Sequence, residues 1–235
     1  MTMIAVDPCH DLAGLELLSG LTADALEAAR AEARFRRISR NTRIFNQGDM
    51  EVRAHALLDG AVRILQSGSD GEEVVVRFIT AGEMFGAVAL FTDHRYPADA
   101  ETLRDSLEVS WSETALAGLM ERHPQIAINM IRLVGRRLQE AQERIRELAT
   151  QRVEQRIAHA LLRLSRRAGR TTSAGVEIDL PLRRKDIADI CGTTLHSASR
   201  ILTPWEKAGW LVTRDQRLTI REIAKIRWVA EHFGQ

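Results

Sequence analysis

Hydrophobic positions change their spacing several times along the chain, and each change predicts a different kind of element. From Asp11 to Ile38, Leu12, Leu15, Leu18, Leu21 and Leu26, broken by Gly14 and Gly20, predict short helices, with Thr22 placed to N-cap one through Ala33. From Arg34 to Trp111 the pattern becomes short runs rich in Val, Ile, Leu and Phe between turn signals. Those signals are Asn46-Gln47-Gly48-Asp49, Asp59-Gly60, Ser67-Gly68-Ser69-Asp70-Gly71 and Ala81-Gly82-Glu83. Ala61–Leu65 and Val74–Ile79 are the clearest strands, and Asp70-Gly71 suits the hairpin turn between them. Strands this short and this evenly spaced predict an all-β barrel or jelly roll.

Helical spacing returns near Glu113 and becomes strict after Pro124, a residue suited to the first turn of a helix. Ala127, Ile131, Val134, Leu138, Ala141, Ile145 and Leu148 then recur at alternating intervals of four and three, between charged flanks that include Arg132, Arg136, Glu140 and Arg144. A stripe this narrow, kept for about three heptads, predicts two such helices side by side in a homodimer rather than burial under a sheet. A single amphipathic helix on its own domain is the alternative. A hinge is expected near Thr150-Gln151, followed by a helix from Arg152 to Ala168 whose apolar face is Ile157, Ala160, Leu161 and Leu164. Gly169 to Gly175 reads as a loop, and Val176 to Leu182 as a short strand.

Residues 184–203 carry the most specific pattern. With Arg184 as position one, Ile187, Cys191, Ala198 and Ile201 fall at four, eight, fifteen and eighteen, the shared core of a helix-turn-helix. Ala188 is small where the helices cross, Gly192 supplies a positive φ for the turn, and Thr193 or Thr194 can cap the second helix. Leu195, His196, Ser199 and Arg200 share the outward face of that helix, which in such units enters the major groove. Arg200 can pair with guanine O6 and N7. Trp210–Thr213 and Arg217–Ile220, around Arg214-Asp215-Gln216, predict a β-hairpin wing whose arginines Arg214 and Arg217 could sit over phosphates. A last helix is expected from Arg221 to Phe233. Pro204 disagrees with a continuous recognition helix and predicts a kink or early end.

Charge sharpens this picture. The formal net charge of +1 divides into +7 over residues 151–235 (16 Lys+Arg, 9 Asp+Glu) and −6 over residues 1–150 (17 and 23), so only the C-terminal segment invites a polyanion. Composition is that of an ordinary soluble protein, 45% hydrophobic and 28% charged, with no membrane-length apolar run and no signal peptide, which predicts a cytoplasmic protein. Cys9 and Cys191 lie far apart without metal-ligand spacing, so a disulfide scaffold, a zinc site and a four-cysteine iron–sulfur cluster are poorly supported. Cys191 sits at a core position, which favours a structural role over redox sensing.

This order of elements resembles the CRP/FNR superfamily of transcription regulators over nearly the whole chain. The resemblance rests on Phe45–Asp49, Leu57–Val62, Gly82–Gly86, the long helix, and the winged motif ending Ser199-Arg200. It implies an α+β architecture. A cyclic-nucleotide-binding-like β-roll (residues 1–121) would be followed by a dimerisation helix (122–150) and a winged helix-turn-helix (151–235). The implied DNA-binding residues are Thr194, Leu195, His196, Ser199, Arg200, Arg214 and Arg217, with Ile131, Val134, Leu138, Ala141, Ile145 and Leu148 at the dimer interface. The implied partners are near-palindromic double-stranded DNA, a second copy of the chain, and RNA polymerase.

His196 replaces the glutamate usual in the family, which changes the half-site to be read. Cyclic AMP is not expected, because the clamping glutamate and Arg-Ser pair of relatives that bind it correspond here to Ala87, Pro97 and Ala98. Gly192–His196 with Ser199-Arg200 looks most like the NnrR-type regulators of nitrogen-oxide metabolism, implying a response to nitric oxide and, as one route, haem. His10, His55, His94 and His123 are the candidate axial ligands. A β-roll metalloenzyme is the rival reading, but only His55 and His94 fall among the strands, without an HxH pattern. A regulatory domain that binds only protein is disfavoured by the basic winged segment.

Overall fold

The computed structural model describes residues 12–68 and 71–232. Cys9, His10, Asp70 and Phe233 lie outside the described residues. The chain divides into two compact units, one of residues up to Glu73 with Arg77–Gln139, the other of Val74–Val76 with residues from Glu140 onward.

In the first unit the leucine-rich start folds as two 3-10 turns, Leu12–Gly14 and Glu16–Leu18, and helix α1 (Ala23–Ala31). Thr22 caps α1 by accepting the Ala25 N–H at 3.3 Å. The helical stretch stops short of Ile38. Arg34–Ile38 is strand β1, because its period of two sends Phe35 to the core face and Arg34 and Arg36 to the other. Strands β2 (Arg43–Phe45), β3 (Arg53–Asp59), β4 (Ala61–Ser67), β5 (Glu73–Thr80), β6 (Met84–Phe85), β7 (Asp99–Thr102) and β8 (Ser106–Ser112) complete two sheets, ordered β1-β8-β3-β6 and β2-β7-β4-β5. Gly60, at φ +109, turns β3 into β4 where any Cβ would collide with Ser106.

Between the sheets lie Phe45, Leu57, Val62, Ile79, Phe85 and Tyr96, with the Phe45 and Tyr96 rings stacked 3.7 Å apart. The opposite face of the first sheet, led by the fully buried Trp111, packs on Leu12, Leu15, Leu17 and Leu18 and on helix α2 (Glu113–Arg122). Helix α3 (Pro124–Thr150) begins at its proline. Its first half buries Ile126, Met130 and Leu133 in that same core, a second apolar face beside the a/d stripe. Asn129 fastens it by donating to the Leu17 and Ser19 carbonyls at 2.9 and 2.8 Å.

The second unit contains the end of α3, then α4 (Val153–Ala168), β9 (Gly169–Thr172), β10 (Gly175–Ile178), α5 (Arg184–Ile190), α6 (Leu195–Lys207), β11 (Leu211–Arg214), β12 (Arg217–Ile220) and α7 (Ile223–His232). Ile157, Ala160, Leu161 and Leu164 are the buried face of α4, as the spacing predicts. The expected loop at Gly169–Gly175 is instead mostly strand. β9 pairs with β10 and closes one edge of a sheet ordered β11-β12-β10-β9, a place where β-branched Thr171 and Thr172 fit.

Candidate nucleic-acid interface

The start of α5 is fixed by Asp186, which is fully buried and accepts the Arg183 N–H at 2.8 Å and the Arg183 guanidinium at 2.7 Å. Ile187, Ala188, Cys191 and Ala198 are at most 2% exposed, the expected shared core. Ile201 departs from it. It is half-buried, and Leu202 and Trp205 are buried instead, because they continue Ala198 at the i+4 and i+7 positions that face α5 and α4.

Gly192 has φ +59, and a Cβ there would stand 2.6 Å from Leu148 Cδ2, so the turn requires glycine on two counts. Arg156 of α4 pins the turn from behind, donating to the carbonyls of Cys191 at 2.9 Å and Gly192 at 3.2 Å. Thr194 is the N-cap of α6, its hydroxyl accepting the Ser197 N–H at 3.1 Å. These fixings leave Leu195 48% exposed, Thr194, His196 and Arg200 exposed, and Ser199 half-buried. Arg200 has no ion-pair or hydrogen-bond partner among the described residues.

Pro204 does not end the helix early, since α6 runs on to Lys207. The proline lies near the end, so the one carbonyl left without its i+4 donor is that of Arg200, while buried Trp205 anchors the last turn.

The sequence reading missed a brace behind this face. Arg184 donates to Glu206 at 2.5 Å and to Thr203 at 3.1 Å, and the Thr213 hydroxyl donates to the other Glu206 oxygen at 2.7 Å. One carboxylate thus ties α5, α6 and the wing. The wing itself turns through Asp215 (φ +49) and Gln216 (φ +63), the two positive φ values that a tight two-residue hairpin needs. Arg214 is exposed, whereas Arg217 leans on Glu177 at 3.3 Å and Asp179 at 3.8 Å, which partly neutralise it. Burial pushes the Cys191 thiol up to about 12, so this cysteine behaves as a small core residue.

On α3, Ile131, Val134, Leu138, Ile145 and Leu148 are 44–71% exposed, and Ala141 is exposed too. Apolar side chains in such a row are costly to leave in water.

Within the β-roll, His55 is 2% exposed, with Nδ1 2.5 Å from Glu108 Oε1 and Nε2 2.8 Å from the Tyr96 hydroxyl. Burial holds its pKa below 6.5 despite Glu108. The Glu108 carboxyl is held low: burial would raise it, but the His55 and Arg36 contacts outweigh that cost. With both ring nitrogens engaged, His55 is not placed as a haem ligand. His94 is exposed at φ +54 beside Glu113, and His123 is the C-cap of α2. Among the described residues no cluster of three or more His, Cys, Asp or Glu could hold a metal ion. Ala87, Pro97 and Ala98 offer no charge to a cyclic nucleotide phosphate.

A β-roll followed by a long helix and a winged helix-turn-helix defines a DNA-binding transcription regulator with a sensor-type domain. Residues 35–123 match the cyclic nucleotide-binding domain and residues 155–227 the Crp-like helix-turn-helix domain. The chain is 30% identical over 191 residues to the nitrogen fixation regulation protein FixK of Azorhizobium caulinodans, covering 80% of this chain and 76% of that one. It is 26% identical over 221 residues to the cyclic AMP receptor protein of Thermus thermophilus, covering 94% and 98%. Its fold matches that of the c-di-GMP responsive global regulator CLP of Xanthomonas campestris with a TM-score of 0.73 at 23% identity, over 85% of this chain and 99% of that one. The chain belongs to the CRP/FNR family of transcription regulators.

Proposed function

We propose that two copies of the chain pair along α3 and set their two α6 helices into successive major grooves of a near-palindromic duplex. The observation that carries this reading is the outward face of α6, where the unpartnered Arg200 stands beside His196 and Leu195 on a braced helix. Arg200 reads a guanine, Ser199 and His196 touch base edges or phosphates, Leu195 meets a thymine methyl, and Thr194, Arg214 and Arg217 track the backbone. Ile131, Val134, Leu138, Ala141, Ile145 and Leu148 form the seam. A signal at the β-roll shifts the population between seam packings, and only one of these sets the recognition helices about 34 Å apart. The protein acts in the cytoplasm and engages RNA polymerase at its promoters.

The proposed targets are genes of nitrogen-oxide or anaerobic metabolism, switched by nitric oxide or a redox signal. Support comes from the Gly192–His196 and Ser199-Arg200 residues and from the similarity to FixK. Absorption spectra and operator affinity of anaerobically purified protein, with and without nitric oxide, test that input; identical affinities would remove it. Arg200→Ala tests the DNA reading. Losing a bidentate guanine contact of about 1–3 kcal/mol should weaken specific binding about 5–150-fold and leave salt-sensitive binding to random DNA nearly unchanged. Equal losses on both would refute the role given to Arg200.

A further inference from the structure

The pleat of the first sheet gathers an unusual set of side chains on one face. Arg34 and Arg36 of β1, Ser110 and Glu108 of β8, and Arg53 and His55 of β3 all point the same way, with Arg34 opposite Ser110 and Arg36 opposite Glu108. That face borders a cavity of about 480 Å³. The walls are the three arginines, His55 and Tyr96, with Phe45 and Met50 supplying an apolar side.

The charges there are unevenly matched. Glu108, fully buried, is already taken by Arg36 at 2.7 Å and by His55. Among the described residues the Arg53 guanidinium hydrogen-bonds to Ser110, its Nε donating to the hydroxyl and one Nη to the carbonyl, both at 3.1 Å. Arg34 has no partner among the described residues. Asp49 and Glu51 stand on the rim, but Asp49 accepts from Asn46 and neither carboxylate pairs with a guanidinium of the cavity among the described residues. Burial, and then the like charges of Arg34 and Arg36, lower the Arg53 pKa, so bringing in a negative group would relieve the cluster.

We infer that this cavity binds a small organic oxyanion, a carboxylate or a phosphate, clasped by Arg34 and Arg53 with its carbon skeleton against Phe45 and Met50. Two planar guanidiniums suit the forked oxygens of such a group, and an apolar wall selects for an organic rather than a bare ion. The site shares no residue with Ala87, Pro97 or Ala98, and it does not depend on the DNA-binding role assigned to α6. Its floor is wired to Tyr96, whose hydroxyl accepts the Arg53 backbone N–H at 2.7 Å and meets His55 at 2.8 Å.

Tyr96 is the chain's single tyrosine, so full-length protein labelled with 3-fluorotyrosine carries one 19F resonance at the cavity floor. Titration with ethyl phosphate and with succinate, at ionic strength held constant with chloride, should displace that resonance saturably in at least one arm, and the arm that responds identifies the oxyanion. Arg34→Gln should weaken the apparent Kd about tenfold or more, and Arg34→Gln with Arg53→Gln should abolish saturation. A shift no different from chloride in both arms, or the same saturable shift in Arg34→Gln as in the unsubstituted protein, would overturn the proposal.

Discussion

Leu138→Glu places a carboxylate at the middle of the exposed stripe of α3, at a side chain that is 59% exposed in the single chain. Fully burying a leucine is worth about 1.5–3 kcal/mol, and roughly three-fifths of that remains to be recovered by a partner helix, about 1–2 kcal/mol per protomer. Two-fold symmetry counts the loss twice, for about 2–4 kcal/mol, or a dimer dissociation constant about 25–700 times higher. Two facing carboxylates would add repulsion on top. Sedimentation equilibrium over a range of concentrations reads this directly. Far-UV circular dichroism should stay unchanged, since Leu138 lies away from the buried face of Ile126, Met130 and Leu133. A variant that dimerises as tightly as the unsubstituted protein would refute the seam and the energetic reasoning with it.

Cys191 should be inert in the native state. In a Cys9→Ser background, a thiol raised to about 12 leaves a thiolate fraction near pH 7 of about one in 10⁵, so a disulfide reagent should label it only after unfolding. Stoichiometric labelling of native protein within minutes would contradict its core placement. Acid should weaken the β-roll through His55. Its folded pKa is depressed below 6.5, so the unfolded chain binds the proton more readily and stability falls as pH drops from about 6.5 toward the lower folded value. Glu108, also depressed, adds a further loss as pH falls from the ordinary carboxylate range through its lower folded value. Melting temperature across this range should therefore decline on acidification, and His55→Gln should flatten the upper part of the slope; an unchanged slope would assign the titration elsewhere.

What the sequence discloses depends on how local the physics is. The α3 stripe, the positive φ of Gly192 and the Thr194 cap are decided within one or two helical turns, so their residues announce them. Contacts between distant segments leave no such trace. His55 looks like a free ligand until Glu108, 53 residues away, and Tyr96, 41 away, are folded against it. Arg184 and Glu206 stand 22 residues apart, and nothing short of packing α5 on α6 shows that they meet. Gly169–Gly175 reads as a loop because its Thr, Ser and Gly content suits turns, and only pairing with β10 makes β9 an edge. Ile201 and Leu202 are adjacent apolar residues, and the register of α6 against α4 and α5 decides which is buried.

Selection of bound sequences from randomised duplex DNA by the full-length protein tests the paired-reader account most directly. The enriched sites should be inverted repeats whose half-site centres lie about 10 base pairs apart, and Arg200→Ala should lose preference at one base pair in each half. Enrichment of a lone unrepeated motif, or an unchanged motif with Arg200→Ala, would contradict it.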